Sequence, residues 1–164
     1  MISLEALRRY PLFAGQNLYM LKEIALLSDE IDLEAGEWLF HEREDASTFY
    51  VVQEGAISLC MNLHLNGSEP HVEAMSPIGK GEVVGWSSLV KPYTYTLGAR
   101  ATQKSKLIAI EASPLRQLLN DNPMYGYYML KKLSEVMGER LLNKCVQLVS
   151  IVLDLQDERV KNPA

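Results

Sequence analysis

The chain has 164 residues, 48% of them hydrophobic and 23% charged, which is the balance of one globular domain with a core large enough to fold unaided. Its net charge is −5 and it has no Lys/Arg block, which speaks against a direct nucleic-acid surface, since neutralising phosphates takes clustered cations. Two cysteines exclude a disulfide framework and a four-cysteine iron–sulfur site, and the absence of an apolar leader or a run of bilayer length points to a cytoplasmic, thiol-reduced protein with no membrane partner.

Three zones follow in chain order. From Ile2 to Ser28 the apolar spacing is helical, through Leu4 and Leu7, then Leu18, Leu21, Ile24, Ala25 and Ser28. Pro11 interrupts it, so Pro11-Leu12-Phe13 reads as a short connector with two inward apolar anchors. From Glu30 to Glu111 the period falls to two and glycine punctuates the chain. Strands are expected around Ile31 and Leu33, over Trp38-Leu39-Phe40, from Phe49 to Val52, from Leu97 to Thr102 and from Lys106 to Ile110. Ile57, Leu59, Met61 and Leu63 alternate with Ser58, Cys60, Asn62 and His64, the pattern of a half-buried strand with His64 on its solvated face. Asn66-Gly67 is the best hairpin turn, with His71 to Met75 returning from it.

After Ser113 the chain is helical again. Ser113-Pro114 reads as a helix start, a capping hydroxyl followed by proline at the first position. That helix stops near Asn122-Pro123, and a long one runs from about Met124 to Leu155. One apolar stripe on it comprises Leu130, Leu133 and Met137, with Leu142 and Val149 beyond. A second set, Ser134, Gly138, Leu141, Cys145, Leu148, Val152 and Leu155, alternates spacings of four and three, as a coiled-coil seam does. The helix would be about 45 Å long at 1.5 Å per residue, more than a small β domain can cover. A homodimer through Gly138, Leu141, Cys145, Leu148, Val152 and Leu155 is therefore expected. Cys145 is expected to be a small buried residue rather than a redox partner. The polar tail, Gln156 to Ala164, reads as a terminus, so no DNA-reading element is expected.

The stretch from Ile78 to Val90 carries the most chemistry. Gly79, Gly81 and Gly85 let the backbone turn tightly and approach a ligand. Trp86 to Leu89 read as a short helical turn whose free N–H groups, with the hydroxyls of Ser87 and Ser88, could hold an anion.

These pieces in their order resemble the cyclic-nucleotide-binding domain family, the sensor fold of the catabolite activator protein. The resemblance spans about Leu4 to Leu155. It runs through Pro11-Leu12-Phe13, Ala35-Gly36-Glu37, Glu42-Arg43-Glu44-Asp45-Ala46 with Tyr50, Gly55, Gly79 to Val90 and the long closing helix. It implies a mainly β fold with flanking α: an eight-stranded double-stranded β-helix (a jelly-roll or β-roll). N-terminal helices (1–28), the roll (29–112) and C-terminal helices (113–164) would form one domain.

The departures fall on the ligand contacts. Where the family has a glutamate for the ribose hydroxyl after its glycine, this chain has Trp86 after Gly85. The place of the phosphate-binding arginine falls on Tyr95, and that of an alanine two residues on falls on Leu97; Arg100 matches a basic strand position outside the phosphate contact. Each lost charge-assisted hydrogen bond costs about 1.5–3 kcal/mol, so losing both should weaken a cyclic nucleotide by roughly three orders of magnitude. A polar residue of the long helix contacts the base in the family, and the Arg140-Leu141 pair puts Lys144 and Cys145 nearest that role.

The expected ligand-binding set is Gly85, Trp86, Ser87, Ser88, Leu89, Tyr95, Lys144 and Cys145. Two outcomes stay open: a different, flatter or less charged small-molecule ligand, or a pocket filled by Trp86 in a pure interaction subunit. No cofactor or metal is expected, because His41, His64 and His71 form no His-x-His or His-x-x-x-His pair. No Ser–His–acid or Cys–His arrangement points to an enzyme. The chain is similar to short, stand-alone bacterial members of the family, and a non-enzymatic regulatory module is the function implied.

Overall fold

Local capping sets the N-terminal layer. Ser3 Oγ accepts from Ala6 N–H at 3.1 Å ahead of α1 (Leu4–Arg8), and Asn17 Oδ1 accepts from Met20 N–H at 2.9 Å ahead of α2 (Leu18–Leu26). Between them Pro11–Phe13 forms a 3-10 turn that buries Leu12 and Phe13, as the proline break predicts. Leu18 is exposed and Met20 buried, because the face of α2 is set by the turn that Asn17 starts. The computed structural model describes residues 2–63 and 71–161, with side chains at 2–62 and 77–150.

Among the described residues eight strands follow: β1 (Ser28–Leu33), β2 (Trp38–Phe40), β3 (Thr48–Glu54), β4 (Ile57–Leu63), β5 (His71–Ile78), β6 (Val83–Val84), β7 (Gly98–Ala101) and β8 (Ser105–Glu111). They form two antiparallel sheets ordered β1-β8-β3-β6 and β2-β7-β4-β5. The mainly β roll with flanking helices matches the expected fold class. Strand β6 is too short to show in the periodicity; it exists because Val83 and Val84 pair with Val51 and Tyr50. Asn66-Gly67 and His64 lie outside the described residues, although Leu63 pairs with His71 as a hairpin requires.

Within the first sheet, β3 and β8 are buried on both faces. Phe49 and Val51 of β3, with Ile108 and Ile110 of β8, pack into the helical layer, while Tyr50, Val52 and Leu107 point into the roll. Such strands read as continuous apolar runs because neither face meets water. In the second sheet, β4 departs from the expected alternation. Its register shifts between Ser58 and Cys60, and Cys60 is 5% exposed while Met61 is 40% exposed. Cys60 pairs with Gly98, over which the Trp38 ring lies, so the outward face is covered there. Burial pushes the Cys60 thiol pKa up.

α3 (Ala112–Asp121) starts one residue before Ser113, and no side chain caps it. β8 stays paired to β3 through Glu111, and Ala112 N–H donates to Ser47 O at 2.9 Å, so the strand feeds the helix directly. α4 (Pro123–Lys161) has 39 residues. Its packed stripe is Met129 and Leu133, with Val136 and Met137 partly covered; Leu130, expected there, is exposed on the flank. Gly126 is buried where its missing Cβ would fall 2.9 Å from Leu119 O, which lets α4 lie close on α3. Beyond Arg140 the helix stands clear of the roll: Leu141, Leu142, Cys145, Val146, Leu148 and Val149 are exposed. No helix among the described residues is long and apolar enough to cross a membrane.

Candidate functional site

β6 delivers the chain to Gly85 at φ +74°, the left-handed region that L side chains rarely adopt. A Cβ there would sit 3.1 Å from both Thr48 O and Tyr95 Cε1, so a side chain would be strained in conformation and crowded by its neighbours. The 3-10 turn Trp86–Leu89 follows, closed by Ser88 N–H to Gly85 O at 3.0 Å. At about three residues per turn Trp86 and Leu89 fall on one side, and both pack against the helical core. Trp86 and Ser87 line a cavity at the mouth of the roll. Ser88 is wholly buried, with no hydrogen-bond partner for its hydroxyl among the described residues, and Leu89 packs on the helical core. Arg116 of α3 holds this turn from behind, donating to Ser88 O at 2.5 Å while its guanidinium lies 4.1 Å from the Tyr93 ring centroid.

The opposite wall is Tyr95, 4% exposed. Its ring stacks on Phe40, with 3.6 Å between centroids and 10° between planes. The hydroxyl donates to Thr48 O at 2.7 Å and accepts from Thr48 N–H at 3.3 Å, which ties the ring to the β3 backbone. Burial first, and Tyr50 alongside, push its pKa well above the usual tyrosine range. The cavity beside it, at the mouth of the roll, measures about 70 Å³, whereas small-molecule sites occupy about 300–1,000 Å³.

A larger groove of about 700 Å³ lies between the roll and α4 and shares Leu59, Ile78, Trp86, Leu97 and Arg140 with that cavity. Arg140 pins the helix to the ligand loop: its Nη2 donates to Val83 O at 2.8 Å and meets Glu82 Oε1 at 3.3 Å. Glu82 Oε2 in turn accepts from Gly79 N–H at 2.7 Å.

Of the expected ligand residues, the fold gathers Gly85, Trp86, Ser87 and Tyr95 around the small cavity, and Trp86 and Lys144 around the groove. Lys144 Nζ lies 3.2 Å from Gln147 Oε1. Ser88, Leu89 and Cys145 line neither space. Cys145 is exposed rather than buried, because the roll does not reach that turn of α4. Arg100 lines neither space; its Nε donates to Gly36 O at 2.6 Å and its guanidinium lies beside Trp38. Sequence alone did not assign Phe40, Leu59, Glu82 or Arg140 to the site. The Arg140-Leu141 pair was the available signal, and it served only as a landmark for its neighbours.

Two antiparallel sheets rolled around one apolar interior, a glycine-punctuated loop at the mouth and a long helix laid against that loop define a sensor-type β-roll. The chain belongs to the cyclic nucleotide-binding domain family, whose model matches residues 30–122. A Geobacter metallireducens GS-15 protein described as cyclic nucleotide-binding is 32% identical, covering 86% of this chain and 99% of its own, with a TM-score of 0.74. The N-terminal domain of a transcriptional regulator from Streptomyces coelicolor A3(2) is 28% identical over 82% of this chain and 93% of its own, with a TM-score of 0.63. Among curated proteins, an uncharacterized NTE family protein of Mycobacterium tuberculosis strain H37Rv is 24% identical over 82% of this chain; the chain spans 22% of that relative's length.

Proposed function

We propose that this chain is a non-enzymatic regulatory module that does not hold a cyclic nucleotide inside its roll in the family's usual manner. The carrying observation is the Tyr95–Phe40 stack, tied to the Thr48 backbone and leaving about 70 Å³ beside Gly85. Trp86 and Tyr95 stand where a glutamate and an arginine would supply charge-assisted bonds, and neither can supply an ionic contact. Gly85, Trp86, Ser87, Tyr95 and Lys144 remain the ligand-facing residues of the expected set, with Arg140 added. Ser88 and Leu89 support the turn from inside. The module acts as a homodimer through Gly138, Leu141, Cys145 and Leu148, a reading supported by the exposed apolar surface of α4 beyond Arg140. The seam would continue through Val152 and Leu155, whose side chains lie outside the described residues.

Calorimetric titration with cAMP and cGMP tests the proposal. Two missing contacts at about 1.5–3 kcal/mol each weaken binding by roughly two to four orders of magnitude, so no saturable binding is expected below about millimolar ligand. Micromolar binding of either nucleotide would overturn the reading of Trp86 and Tyr95. The same closed interior also favours a second reading, an interaction subunit with no small ligand. That reading predicts no rise in melting temperature with any metabolite, because only a ligand bound to the native state shifts unfolding by mass action.

A further inference from the structure

The space that the roll lacks inside lies outside it, between the sheets and α4. We propose that this groove binds a small amphipathic carboxylate, an apolar body ending in one anionic group, with Arg140 as the counter-charge. The inference rests on the reading above, in which Tyr95 closes the interior.

Size comes first: about 700 Å³ falls within the range of small-molecule sites, roughly 300–1,000 Å³. The walls come second. Leu59, Ile78 and Leu97 from the roll, Trp86 from the loop and Met137 from α4 form an apolar wall, and Asn143 and Gln147 of α4 add polar groups at its side. An apolar body gains from the same surface, because its burial removes hydrocarbon from water.

Charge comes third. Among the described lining residues the charged ones are Arg140, Lys144 and Glu82, two cations to one anion. The planar guanidinium of Arg140 suits a carboxylate better than an ammonium does, since it presents paired N–H donors in a fixed fork. Its link to Glu82 is loose, at 3.3 Å, with the two side chains 24% and 46% exposed. A ligand carboxylate therefore competes with Glu82 for Arg140. Glu82 keeps its Gly79 partner when displaced, so the exchange leaves no buried charge unpaired. The exchange occurs at the residues that join α4 to the glycine loop, so occupancy of the groove alters the contact between roll and helix.

Calorimetry on the full chain tests this with octanoate and its neutral counterpart octanamide. Octanoate is expected to bind saturably, and octanamide at least roughly tenfold more weakly, the loss of one charge-assisted contact. Arg140→Gln should weaken octanoate binding by a similar factor, while Glu82→Gln should tighten it by removing the competing carboxylate. Equal binding of octanamide would overturn the proposal. So would weakening by both variants alike, which is what a purely structural ion pair predicts, or the absence of saturable octanoate binding. The cAMP titration reports separately on the interior. Micromolar cAMP binding refutes the closed roll whatever octanoate does, and failure of octanoate without cAMP binding refutes the groove alone.

Discussion

Replacing Tyr95 by alanine removes the ring that packs on Phe40 and both hydrogen bonds to Thr48. Truncating a buried aromatic to alanine costs about 3–5 kcal/mol, the lost transfer energy plus the cavity left behind. For a chain of this size 1 kcal/mol moves the melting temperature by about 2–4 °C, so Tyr95→Ala should lower it by roughly 6–20 °C. Tyr95→Phe keeps the ring and loses only the hydroxyl. It should cost about 1 kcal/mol, or 2–4 °C, with part of the penalty arising from the Thr48 groups left without that partner. A cycle with Phe40→Ala should give a coupling of about 0.5–1.5 kcal/mol beyond additivity, the contribution of the stacked pair. The assay is thermal unfolding followed by far-UV circular dichroism, with calorimetry to confirm two-state behaviour. A Tyr95→Ala protein that melts within about 2 °C of the wild type would refute the packing described here, because that is the behaviour of an exposed tyrosine.

Other outcomes follow from the same geometry. Gly85→Ala should destabilise by about 1–3 kcal/mol in thermal unfolding, since alanine must adopt φ +74° with its Cβ 3.1 Å from Thr48 O; an unchanged midpoint would refute the left-handed assignment. Stability should hold below pH 10 and fall above it. The unfolded tyrosines ionise near pH 10, whereas burial keeps Tyr50 and Tyr95 protonated in the fold, so the native state binds more protons and loses ground as pH rises. Urea midpoints between pH 8 and 11 would show this, with a shallower decline for Tyr95→Phe. Light scattering should give a dimer of the 18.5 kDa chain and a monomer of unchanged helicity for Leu148→Glu, whose side chain is exposed on the proposed seam; a wild-type monomer at high micromolar concentration would rule the seam out.

Much of the fold was legible from local rules. Pro11 broke the first helical pattern where the 3-10 turn forms, and the shift from a helical to a twofold period marked the roll. The misplaced features are those that a distant segment decides. Ser113 looks like a helix cap, but β3 holds β8 in register through Glu111, so the helix begins at Ala112 without it. Leu130 is as apolar as Met129, yet only Met129 meets the helical core, because the rotation of α4 is fixed by its packing on α3 and the roll.

The ligand loop divides in the same way. The sequence by itself determined the glycine at Gly85 and the presence of Trp86 and Tyr95 in the loop, since residue identity and spacing are local properties. Only the tertiary structure decided that Tyr95 is buried in the roll, because its packing needs Phe40 from β2 and the Thr48 backbone from β3. The same holds for Arg140, 54 residues after Trp86 in the chain. Its proximity to Val83 and Glu82 is a product of where α4 packs, and no local pattern encodes a distance between segments so far apart.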